Sequence, residues 1–92
     1  MLKIKPNKVN VTYEQFIIEL AFSLDFDGIE SLTENIDLEL SLSDQEHVIF
    51  DDMDITVFHM EELYDIRIDD DEWEKMWYNV PVNDLHEQLQ NL

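Results

Sequence analysis

A chain of 92 residues, 45% of them hydrophobic, can bury one core, which sets the expectation of a single compact acidic domain over residues 1–92. It contains no cysteine, which excludes disulfides and thiolate metal sites. It also has no signal-peptide pattern and no apolar run near the ~20 residues that cross a bilayer, so a cytoplasmic location is expected. With 23 acidic residues against 5 basic ones the net charge is −18, which argues against nucleic acid or an anionic membrane as a direct partner.

The charge is unevenly spread. Lys3, Lys5 and Lys8 stand in an N-terminal stretch free of acids, and from Thr12 onward only Arg67 and Lys75 oppose all the carboxylates. Solubility of a small domain is served by a net charge of magnitude ~2–8. The excess repels itself and weakens the fold, and it points to a basic protein surface as the partner.

Leu2-Lys3-Ile4-Lys5 alternates, Pro6-Asn7 signals a turn, and Val9-Asn10-Val11 alternates again, which predicts a short N-terminal strand or hairpin. Thr12 and Gln15 form a capping box, with Val11 and Phe16 as its hydrophobic staple. Tyr13, Phe16, Ile17, Leu20, Ala21 and Leu24 follow at 3.6-residue spacing, a helix over residues 13–24 that ends before Gly28. Asp25-Phe26-Asp27-Gly28 opens like a calcium loop, but its glycine comes too early and its third ligand is missing.

Ile36-Asp37-Leu38-Glu39-Leu40-Ser41-Leu42 alternates strictly, predicting a half-buried strand. His47-Val48-Ile49-Phe50 and Ile55-Thr56-Val57-Phe58 are β-rich runs joined by Asp51-Asp52-Met53-Asp54, predicting a hairpin. The same stretch admits a helix over residues 44–64, with Ser43 and Glu46 as a capping box and Ile49, Met53, Val57, Met60 and Tyr64 on one face. The β-branched content favours the strands.

Farther on, Asp69-Asp70-Asp71-Glu72 places acids where a helix N-terminus welcomes them, and Trp73, Met76 and Trp77 share one face of a helix over 71–78. Pro81 ends it, and Asn83 is placed to cap a last helix over 83–91 with a stripe of Leu85, Leu89 and Leu92. The fold class predicted is α+β, a short antiparallel sheet with about three helices.

Enzymatic machinery is not readable. There is no cysteine nucleophile, glycine-rich phosphate loop or His-Glu-x-x-His helix, and His47, His59 and His86 are scattered singly, as surface or boundary residues are. Carboxylate pairs abound, but general acid and base roles need a cleft and separated pKa values. No catalytic residue, cofactor or metal is expected, and the run from Asp69 to Glu72 reads as a solvated helix start rather than a cation site.

The acids are then the candidate partner-binding residues. Asp37 and Glu39 point outward from the predicted strand about 6.6 Å apart, at ~3.3 Å of rise per residue. Asp51, Asp52 and Asp54 fall in the predicted hairpin loop, Glu61, Glu62 and Asp65 follow it, and Asp69, Asp70 and Asp71 complete the set. Tyr78 joins them as an exposed aromatic, while Trp73 and Trp77 are assigned to the core. Rows of carboxylates at such spacings match the ~3.4 Å rise per phosphate along one nucleic-acid strand.

In size, charge and lack of catalytic features the chain resembles the small DNA-mimic inhibitors of phages and mobile elements, the anti-restriction, anti-CRISPR and uracil-glycosylase-inhibitor proteins. That resemblance implies a non-enzymatic blocker of the basic DNA-binding surface of a host nuclease, restriction, CRISPR or repair protein. A second resemblance is local. The segment from Glu61 through Met76, Glu-Glu-Leu-Tyr-Asp-Ile-Arg-Ile-Asp-Asp-Asp-Glu-Trp-Glu-Lys-Met, and the later Val82-Asn83-Asp84-Leu85 are similar to the second half of acyl carrier proteins. It implies an all-α four-helix bundle instead of the sheet. The carrier motif Asp-Ser-Leu is absent: counting back without gaps puts Phe50 at the serine position, and Ser41 and Ser43 lie in Leu-Ser-Leu-Ser-Asp.

The leading expectation is an acidic inhibitor that mimics nucleic-acid charge, with a basic nucleic-acid-binding protein as partner. The alternatives are an acyl-carrier-like module without the carrier serine, and an immunity protein or antitoxin against a basic nuclease toxin. A homodimer is one way to lengthen the charged surface.

Overall fold

The computed structural model describes residues 9–92. The alternation at Leu2 to Lys5 and the turn at Pro6-Asn7 lie outside them. The described residues form five helices, α1 (Tyr13–Ser23), α2 (Ile29–Asn35), α3 (Asp52–Tyr64), α4 (Asp70–Asn79) and α5 (Val82–Gln90), with one 3₁₀ turn at Leu42–Asp44. The expected α+β fold is therefore corrected to all-α, the class of the alternative bundle. Val9 to Val11 form no strand, and the β pairing among the described residues is one isolated bridge between Ser41 and Pro81.

The first helix forms as its sequence dictates. Thr12 Oγ1 accepts the Gln15 N–H at 3.1 Å while Gln15 Oε1 accepts the Thr12 N–H at 2.9 Å, so two orphan donors at the helix start are satisfied reciprocally. Val11 and Phe16 are buried on either side of this cap, and Ile17, Leu20 and Ala21 continue the stripe into the core. Beyond the helix, Gly28 takes φ +97° as the residue ahead of α2, a conformation L side chains rarely adopt.

Residues 36–42 make no strand, and one side chain explains why. Gln45, itself buried, accepts the Asp37 N–H on Oε1 at 2.8 Å. Its Nε2 donates to the carbonyls of Asp37 at 2.7 Å and of Leu40 and Ser41 at 3.2 Å each. The backbone groups a neighbouring strand would pair are thus satisfied by an amide, and the segment curls into a turn instead of extending. Ile36 and Leu42 are buried, Leu38 is half-buried and Leu40 is exposed, so the alternation does not mark one buried face. The same turn caps the last helix. The Leu38 and Leu40 carbonyls accept the N–H groups of Asn83 and Val82 at 2.9 and 3.0 Å. The N-cap of α5 is Pro81, and Asn83, expected to cap it, lies inside the helix.

The predicted hairpin over 47–58 is replaced by α3. Thr56, Met60 and Tyr64 are buried and Met53 and Val57 half-buried, a helical stripe that faces α1 and the core. Tertiary burial of that stripe outweighs the β preference of its branched residues. The helix also starts later than the Ser43–Glu46 box suggests. Asp52 Oδ2 accepts the Ile49 N–H at 3.0 Å while the Ile49 carbonyl accepts the Asp52 N–H at 3.0 Å. Asp65, at φ 56°, closes the helix in the left-handed conformation.

The last two helices match their predicted spans to within a residue or two. Trp73, Met76 and Trp77 are buried, and Trp73 Nε1 donates to the Met53 carbonyl at 3.0 Å, which pins the start of α4 to that of α3. Val82, Leu85 and Leu89 form the buried face of α5, whereas Leu92 lies beyond the helix and is exposed. Tyr64 Oη sits 2.7 Å from His86 Nδ1, and burial pushes its phenol well above the ordinary value of 10.0.

Two outcomes follow. Gln45→Ala should lower the urea unfolding free energy by about 2–3 kcal/mol, because a buried N–H and several carbonyls lose their partner. The raised Tyr64 pKa means the unfolded chain releases this proton first as the pH climbs. Its stabilisation is complete below pH 10 and is lost as the pH rises from there through the folded value. Titration of unfolding from pH 9 to 12 should show that fall setting in near pH 10, and Tyr64→Phe should lessen its steepness.

Candidate protein-interaction surface

Six of the acids singled out in the sequence fall on or beside α3. Asp51 precedes the helix, Asp52, Asp54, Glu61 and Glu62 lie within it, and Asp65 follows it. Two of these six have structural duties. Asp52 caps the Ile49 N–H, and Glu61 Oε2 accepts the Ile68 N–H at 2.8 Å, holding the chain as it leaves the helix. Asp51, Asp54, Glu62 and Asp65 are exposed.

A shallow depression lined by Phe58, Glu61, Glu62, Asp65, Ile66 and Arg67 joins the end of α3 to a second one lined by Arg67, Ile68, Asp69, Asp70, Asp71 and Glu72. Arg67 is common to both, so the acids after α3 and those opening α4 form one continuous patch around a single cation. Asp69, Asp70 and Asp71 are all exposed there. Their carboxylates sit at the positive end of the helix dipole.

Asp37 and Glu39 do not project from a strand, so the spacing of ~6.6 Å expected from strand rise does not hold. They belong to the turn around Gln45, where Asp37 Oδ1 accepts the Glu39 N–H at 3.0 Å, and the residues that follow them, Leu38 and Leu40, bond through their carbonyls to the start of α5. Tyr78 is exposed as expected, near the end of α4. The histidines divide. His47 is exposed, His86 is half-buried among Tyr13, Phe16 and Tyr64, and His59 is half-buried between α1 and α3.

Charge reasoning missed the apolar part of this surface. Ile18 is 49% exposed and Phe22 68% on α1, and Ile55 is 51% and Phe58 61% on α3. Phe50, just ahead of α3, is 65% exposed. None of the four helix residues is on its helix's buried stripe, and all are large. The signal was present in the sequence, since both helices carry more apolar residues than one stripe can use. On α3 that surplus was absorbed into the predicted hairpin.

The two helices run antiparallel with a fixed register. Ser23 Oγ and Thr56 Oγ1 meet at 3.3 Å in the buried interior, and Glu19 Oε2 lies 2.6 Å from His59 Nδ1 nearer the surface. Ser23 donates to its own helix at the Leu20 carbonyl, which leaves Thr56 to donate to Ser23. The rings of Phe22 and Phe58 both stand edge-on to His59, with centroids at 5.4 and 6.3 Å.

Phe50 is exposed and carries no nucleophile. Ser41 is buried and shares a 3.1 Å hydrogen bond with Ser43. Among the described residues no group of three or more metal-ligating side chains converges, and no helix is long and apolar enough to cross a membrane. Comparison with family models, with curated proteins and with solved structures finds no match to this chain.

The acids should separate by duty when neutralised one at a time. Asp52→Ala and Glu61→Ala should each lower stability by about 1 kcal/mol through loss of a charge-assisted backbone bond. Asp54→Asn and Glu62→Gln should leave it unchanged or raise it slightly, because they relieve like-charge repulsion. Urea midpoints of the four variants decide the division.

Proposed function

We propose that this chain is a non-enzymatic binding module that acts by occupying a basic protein surface, in the manner of an immunity protein or antitoxin. The observation that carries the reading is the combination of exposed carboxylates on and beside α3 with two exposed aromatic side chains, Phe50 just ahead of the helix and Phe58 within it. Tight protein interfaces place aromatic anchors at their centre and charge at the rim, where it steers encounter. The all-helical fold and the Phe50 at the carrier-serine position support a carrier-like bundle put to binding use rather than to carrying an acyl group.

A second reading, mimicry of nucleic-acid charge, is favoured by the continuous acidic patch around Arg67. A pure mimic presents a ladder of carboxylates. The apolar residues set among the acids here favour a partner recognised by shape as well as charge. The two readings share a basic partner and differ in whether the partner's DNA site is the one covered.

The test retains a basic protein from lysate on this chain at low salt, then immobilises that protein and titrates it with this chain and with labelled duplex DNA from low to physiological salt. Affinity should fall with salt, and Phe58→Ser should weaken binding about tenfold or more while Asp54→Lys mainly slows association. Displacement of DNA supports mimicry, and simultaneous binding of both supports an exosite of the immunity type. Affinity indifferent to salt and to both substitutions would remove the proposal. In a separate check, incubation with a phosphopantetheinyl transferase and coenzyme A should leave the intact mass unchanged. A pantetheine adduct on Ser41 or Ser43 would restore the carrier role.

A further inference from the structure

The exposed apolar residues of α1 and α3 are arranged as two short rows with acids at their ends. On α1 the row is Glu14, Ile18 and Phe22, at i, i+4 and i+8, with exposed Asp25 just past the helix. On α3 it is Asp51, Ile55, Phe58 and Glu62, at i, i+4, i+7 and i+11, again on one face. The register set by Ser23 with Thr56 and by Glu19 with His59 brings Phe22 within about one turn of Ile55, and Ile18 within about one turn of Phe58. The rows therefore lie side by side, with the Glu19–His59 pair on the floor between them and the rings of Phe22 and Phe58 leaning on His59.

Such a surface fits one kind of occupant. Two helical ridges with a seam between them form the groove that receives an amphipathic helix through apolar anchors at helical spacing. The carboxylates at both ends of both rows require that the occupant's flanks be cationic. A second copy of this chain meets the opposite condition, since each copy carries a net charge of −18 and would bring its own acids against Glu14, Asp51 and Glu62. We infer that the α1–α3 face is the docking groove for a basic amphipathic helix of the partner, with Ile18 and Phe22 along one side and Ile55 and Phe58 along the other as its apolar walls. This inference rests on the reading that the partner is basic and specifies the element that is bound.

The probe is a synthetic 18-residue peptide of leucine and lysine with its leucines on one helical face. A peptide of the same composition in scrambled order, and oligolysine of equal length, serve as controls. Titrated into the ¹⁵N-labelled protein at physiological salt, the amphipathic peptide should shift the amide resonances of Ile18, Phe22, Ile55 and Phe58. It should bind at least tenfold more tightly than the scrambled one. Phe22→Ser with Phe58→Ser should remove that tenfold preference and leave oligolysine binding as it was. Ile18→Thr with Ile55→Thr is the second pair, should the first disturb the helical circular dichroism.

Shifts confined to the acids around Arg67, or a preference untouched by both pairs of substitutions, would overturn the groove while leaving a basic partner in place. No binding of any of the three cationic peptides would overturn both the groove and the basic-partner reading. Sedimentation velocity showing a dimer that these substitutions dissolve would make a second copy the occupant and likewise overturn the proposal.

Discussion

The antiparallel packing of α1 on α3 is the constraint from which the rest of the molecule follows. A buried hydroxyl pair, Ser23 with Thr56, fixes its register from inside, and the Glu19–His59 hydrogen bond closes it at the surface. Both Ser23 and Thr56 are satisfied, so the polar contact specifies the register without leaving an unpaired group in the core. Once that register is set, the stripes of Phe16, Ile17 and Leu20 and of Met60 and Tyr64 turn inward together, and Ile18, Phe22, Ile55 and Phe58 are turned outward. The core and the candidate groove are two consequences of one packing arrangement.

The second organising element is Gln45. By taking the place of a neighbouring strand it holds residues 37–41 in a turn, and that turn supplies the carbonyls that accept the first N–H groups of α5. A proline cannot cap with its side chain, so α5 depends on this loop for its start. The polar contacts of the fold are thus few and specific, while most of the carboxylates remain free at the surface. Only Asp52 and Glu61 among the α3 acids are drawn into holding the backbone.

What the sequence disclosed depended on whether local signals agreed. At α1 the capping box, the staple and the 3.6-residue stripe all point to one helix, and α4 and α5 have an acidic start or a clear leucine stripe. At α3 they conflict. Ile55, Thr56, Val57 and Phe58 favour a strand by local preference, and only packing against α1 shows that Thr56 belongs inside while Ile55 and Phe58 belong outside. At Ile36 to Leu42 the alternation is real but its hydrogen-bond partner is a side chain eight residues on from Asp37, which no periodicity reveals. The acidic half of the candidate surface was readable because charge is additive along a chain. The apolar half became visible only when the register of two helices separated surplus residues from core ones.

The apolar side chains on the α1–α3 face stand outside the core, and the fold should have no need of them. Urea unfolding of the chain carrying Phe22→Ser and Phe58→Ser, set against the unaltered chain in the same buffer, tests it most directly. Residues this exposed should change stability by no more than about 0.5 kcal/mol, leaving midpoint and slope as they were. A loss of about 3 kcal/mol or more, the size expected when a core phenylalanine is cut back, would contradict this and mean that these rings hold the fold together.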